Sequence, residues 1–108
     1  TPLMWALERG LEKVCLALIG CGAEVNVKDS FGCTPLMWAA RDGYEKICLA
    51  LLEKGAEVDA KNFGGETPLA LAILKGYEKI CLALLEKGAE VDGKDPQGNT
   101  PLELAILN

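Results

Sequence analysis

Thr-Pro-Leu recurs at Thr1, Thr34, Thr67 and Thr100, a constant interval of 33 residues. A period of that length limits the fold more than composition does. Each unit is one supersecondary element that cannot bury its own apolar face and must stack on its neighbours. Such arrays present an extended surface and mostly hold partners on it. The period divides the chain into units 1–33, 34–66 and 67–99 and a partial fourth, 100–108, expected to form a single domain over 1–108.

Half of the 108 residues are hydrophobic and a quarter charged, which excludes disorder and leaves a soluble surface. The net charge of −5 is spread thinly along the units, with no run of Lys or Arg, so neither nucleic acid nor a membrane surface is an expected partner. Apolar stretches such as 14–19 fall far short of the ~20 residues that span a bilayer. The opening residues, Thr1 to Trp5, show no basic region and no cleavage-like site, so no targeting peptide is expected.

The chain has five cysteines. Cys15, Cys48 and Cys81 lie one period apart and form a row along the stack. Packed helices sit ~8–10 Å apart and a disulfide needs Cα atoms within ~7 Å, so members of this row are expected to stay reduced and buried. Cys21 and Cys33 have no equivalents. Free thiols suit an intracellular, reducing compartment, cytoplasmic or nuclear. With no His and no Cys-x-x-Cys, a metal site is not expected.

One period, 34–66, spells out the unit. Thr34 is an expected N-cap and Pro35 fits the first helical position, where no N–H is needed. Leu36, Ala39 and Ala40 share one side of a short helix that stops at Gly43. A second helix is predicted from Tyr44 to about Lys54, with Ile47, Cys48, Leu51 and Leu52 on its buried face. Residues 57–60 are expected to be extended. Asn62 to Gly65 should then turn, with an Asx turn at Asn62 and positive φ supplied by the Gly pair.

Thr-Pro-Leu-x-x-Ala, Gly, Ile/Val-Cys-x-x-Leu-Leu, Gly-Ala-Glu-Val-Asp/Asn and a closing Asp/Asn-x-x-Gly together resemble the ankyrin repeat along the whole chain. The resemblance implies an all-α ankyrin-repeat solenoid, helix-turn-helix units joined by short β-hairpin-like loops. It also implies a concave face lined by first helices and hairpin tips, with second helices outside. The His that the family carries after Thr-Pro-Leu is replaced by Met4, Met37, Ala70 and Glu103. Its Gly-His pair becomes Gly10-Leu11, Gly43-Tyr44 and Gly76-Tyr77.

Units two and three are identical over 17 residues, 43–59 against 76–92, and every difference falls on the first helix or the hairpin. Confinement of change to those elements suggests a varied groove on a constant frame. A short duplication of the unchanged block would leave the same record. Trp5, Trp38, Leu71 and Leu104 form a row on the groove side of the first helix, open to two readings, aromatic anchor or contact between units. Trp38 is the member expected to be exposed. Leu16, Leu49 and Leu82 are expected to pack between units.

No catalytic residue or cofactor is expected. General acid–base chemistry would need His or a carboxylate of raised pKa in a pocket. Glu12, Glu45 and Glu78 instead recur beside Lys13, Lys46 and Lys79 as a solvated face. The function implied is recognition of a protein or peptide through the concave face. The residues expected to carry it are Ser30, Phe31, Cys33, Trp38, Arg41 and Asp42 at the first junction. Phe63, Gly64, Glu66, Leu74 and Lys75 follow at the second, and Pro96, Gln97 and Asn99 at the third. The alternative is an engineered, consensus-derived or excerpted structural repeat with no natural ligand. End-to-end self-association is also expected. Leu3, Ala6, Leu18 and Ile19 would be open at one end, and Leu102, Leu104, Ala105, Ile106 and Leu107 at the other.

Overall fold

The computed structural model describes residues 1–89. Six helices follow the 33-residue period: α1 (Pro2–Glu8), α2 (Glu12–Gly20), α3 (Pro35–Asp42), α4 (Glu45–Glu53), α5 (Pro68–Lys75) and α6 (Glu78–Glu86). The odd-numbered helices start alike. Thr1, Thr34 and Thr67 accept the backbone N–H of Met4, Met37 and Ala70 on their hydroxyls, at 3.2, 3.4 and 3.2 Å. The Pro that follows each Thr has no N–H to leave orphaned at the first helical position. α3 and α5 stop at Gly43 and Gly76, which take φ of 80° and 75°, a left-handed backbone that other residues adopt only under strain.

Each pair packs within its unit, and the units stack into two rows, α1–α3–α5 and α2–α4–α6. Between them lie the fully buried Leu3, Leu7, Ile19, Leu36, Ile47, Leu51, Leu69 and Leu84. Adjacent units are also tied by polar bonds. Asn26 donates to the Gly55 carbonyl at 3.2 Å and accepts the Glu57 N–H at 2.8 Å. At the loop tips the Phe63 N–H donates to the Phe31 carbonyl at 3.0 Å.

Several expectations are corrected. Residues 57–60 are not extended: a turn passes through Val58 and Asp59, and no strand occurs among the described residues. Strands need a ladder of paired backbone groups, whereas these loops close on turn bonds of their own, such as the Asp29 N–H to the Cys33 carbonyl and the Asn62 N–H to the Glu66 carbonyl, with the tip bond and the Asn26 and Lys28 side chains between units. Of the Gly pair, only Gly65 takes positive φ, at 77°. The Asn62 side chain accepts the Glu66 N–H, four residues on, where an Asx turn would take the second residue on. Leu49 and Leu82 are exposed and do not pack between units. Each follows a cysteine that faces inward, and one residue turns a helix by about 100°, toward solvent. Leu3, Ala6 and Ile19 are buried, because α1 and α2 cover each other and lie on α3 and α4. The open apolar area there comes instead from Trp5, Leu11 and Val14. Cys15 and Cys48 are buried, but Cys81 only half-buried. Residues 102–107 lie outside the described residues.

Candidate functional site

Met37 on α3, Leu71 on α5 and Ala60 form a small buried cluster of their own, with Cys33 packed against it. Above that floor is a hollow of about 240 Å3 between α3, α5 and the two loops. Its apolar wall continues through Trp38 and Leu74, and Arg41, Lys75, Glu66 and Asn62 set its polar rim. Six residues singled out from sequence thus meet in one place: Cys33, Trp38, Arg41, Glu66, Leu74 and Lys75.

The walls are held by the first loop. Asp29 Oδ1 accepts the N–H groups of Phe31 and Cys33, both at 2.9 Å, and Oδ2 accepts Trp38 Nε1–H at 2.9 Å. Burial works to raise the Asp29 carboxyl. The Cys33 N–H, the Trp38 indole, the Phe31 N–H and the Arg41 charge outweigh it and hold the carboxyl below its ordinary value. Trp38 is therefore half-buried and pinned by its own nitrogen, which corrects the expectation of an exposed ring. Arg41 lies over it, the guanidinium carbon 4.4 Å from the ring centroid, a cation–π distance. Arg41 Nε also meets Asp42 Oδ1 at 3.5 Å. The second loop repeats the frame with different chemistry. Asn62 Nδ2 donates to Glu66 Oε1 at 3.0 Å and reaches Cys33 Sγ at 3.6 Å.

The remaining expected residues sit at the margin. Ser30 and Gly64 are exposed in the turns, and Asp42 is exposed beside Arg41. Phe31 and Phe63 stand out from the tips, 71% and 78% exposed. Gly32 between the tips has φ of 78°, and a Cβ there would come within 2.8 Å of the Phe63 ring. Pro96, Gln97 and Asn99 lie outside the described residues. Sequence reasoning missed Met37, Asn62 and Leu71 as parts of the hollow. Leu71 belonged to the same 33-residue row as Trp38, which was the available signal. Trp5 is the ring of that row that is open, at 71%.

An apolar floor with charged groups at its edge can seat a side chain and orient it. Among the described residues no three His, Cys, Asp or Glu side chains are grouped as a metal site requires, and no helix is long and apolar enough to cross a membrane. A family model for ankyrin repeats (3 copies) matches residues 1–62, and one for ankyrin repeats (many copies) matches residues 51–105. No curated protein matches the chain.

Proposed function

Because the chain belongs to the ankyrin-repeat family, whose members are generally protein-interaction modules, we propose that it binds a protein or peptide partner across α3, α5 and the two loop tips. The hollow carries this reading. It gathers, between apolar walls, a half-buried Trp and an Arg stacked on it, two residue types enriched in binding hot spots. Phe31 and Phe63, outside the core, extend the same face outward as exposed apolar contacts. The outer helices α4 and α6 share one sequence, Glu-Lys-Ile-Cys-Leu-Ala-Leu-Leu-Glu, as a frame would, while α3 and α5 differ. We read 1–108 as one array of units 1–33, 34–66, 67–99 and a partial fourth. Its free thiols are consistent with a reducing compartment.

Selection of random displayed peptides on the folded chain, followed by amide chemical-shift mapping, tests the proposal. Binders should shift residues 29–33, α3, 62–66 and α5. Shifts confined to α2, α4 and α6 would place binding on the outer row and overturn it.

A further inference from the structure

Charge at the rim of the hollow is unevenly committed. Each nearby carboxylate already has a donor. Asp29 takes two N–H groups and the Trp38 indole, Glu66 takes Asn62 Nδ2 at 3.0 Å, and Asp42 meets Arg41 Nε at 3.5 Å. The cations are freer. Lys75 makes no hydrogen bond or ion pair among the described residues, and Arg41, attracted to Asp29 at longer range, makes its one ion pair among them, with Asp42, through Nε, leaving the other edge of its guanidinium to fork a carboxylate. Stacking on Trp38 fixes that guanidinium beforehand, so little freedom is lost when a ligand arrives. At about 240 Å3 the hollow is smaller than the ~300–1,000 Å3 of small-molecule sites, and suits a side chain better than a cofactor.

Resting on the concave-face reading above, we propose that the hollow takes an acidic-apolar peptide segment, an apolar side chain seated against Trp38, Leu71 and Leu74 over the buried Met37 and a neighbouring carboxylate held by Arg41 and Lys75. The net charge of −5 does not oppose this at physiological salt, where charges beyond the ~8 Å Debye length are largely screened and the nearest groups decide.

Three short, capped, dye-labelled peptides test it by fluorescence anisotropy. One has a central Leu flanked by Asp and Glu, one carries Lys in place of each acid, and one carries Gly in place of Leu. The first should bind about tenfold or more tighter than either other, and lose affinity as salt rises. Lys75→Glu and Leu74→Ala should each weaken it about tenfold. Lys13→Glu on α2 makes the same change in net charge and should have little effect. Circular dichroism of each variant confirms that the fold is kept. Equal or tighter binding of the Lys peptide, or no binding of the acidic one, overturns the proposal. If the Lys peptide wins but still shifts α3 and α5, the concave-face reading stands and only the acidic partner falls. Shifts confined to the outer helices would remove both.

Discussion

Asp29 serves the loop and the helix after it with one carboxylate. One oxygen closes the turn on two N–H groups while the other fixes the Trp38 indole. One unit later Asn62 and Leu71 take those places, and the Leu71 side chain has no N–H that would need the second oxygen. Asp29→Ala should therefore cost about 1–2 kcal/mol, low in the range for bonds to a charged group because the carboxylate is only half-buried. Asp29→Asn keeps the two bonds to Oδ1 but removes the charge and sets an amide N–H against the Trp38 indole N–H, so it should recover little of that loss. The acid dependence follows in sign. The folded carboxyl sits below its ordinary value, so its stabilisation is complete above about pH 4 and fades as pH falls through the folded value. Urea titrations of wild type and Asp29→Ala should converge as pH drops below about 4. A gap that stays constant down to pH 2 would mean the charge on Asp29 is not what holds the turn. Asn62 as a turn former was legible in sequence, because that preference is local. The Asp29–Trp38 bond was not, because it joins a loop to a helix nine residues on.

The helices were the most legible elements, since their starts and stops are written in single residues. Thr-Pro opens α1, α3 and α5, Gly closes α3 and α5, and the buried face of α4 is the one its periodicity gives. The loops were less legible, because their backbone groups are satisfied by neighbouring units. Sequence order does not show that Asn26 will take the Glu57 N–H. The same holds for Gly43. Its left-handed backbone could be read from sequence, but the Tyr77 ring beyond it could not. A Cβ at position 43 would lie 2.8 Å from Tyr77 Cζ, with two further ring carbons at 3.1 and 3.2 Å. Gly76 has φ of 75° and no atom of the described residues within 4 Å of a Cβ. Gly76→Ala should thus cost only the backbone strain, about 1 kcal/mol, whereas Gly43→Ala adds displacement of a ring, for about 2–3 kcal/mol in all. Thermal melts of both give the comparison. Equal losses would show that the Tyr77 ring moves aside freely.

Across the whole molecule, α4 and α6 form an internal control, one sequence in two positions. Leu52 is 7% exposed and its counterpart Leu85 39%; Cys48 is buried and Cys81 half-buried. Burial here is set by place in the array: α4 lies between α2 and α6, whereas among the described elements α6 packs chiefly on α4 and α5. The thiols report this difference chemically. Burial, with a smaller effect of Glu45, pushes Cys48 up to about 12. Burial raises Cys81 too, its own backbone N–H working against the rise and Glu78 with it. At pH 8 a thiol near 12 is ionised to roughly one part in ten thousand, so Cys48 reacts almost only when its surroundings open. α4, packed on both α2 and α6, should open later than α6, whose Cys81 is already half-exposed. Labelling with a disulfide reagent at pH 8, followed site by site by mass spectrometry, should therefore run in order. Exposed Cys21 comes first, then Cys33, whose sulfur is partly covered by Asn62, then Cys81 and buried Cys15, with Cys48 last. Cys48 should lag Cys81 by about a hundredfold or more, although the two helices are identical. Equal rates at Cys48 and Cys81 would show that the array opens as one cooperative body, and that stacking on both sides of α4 gives it no added protection.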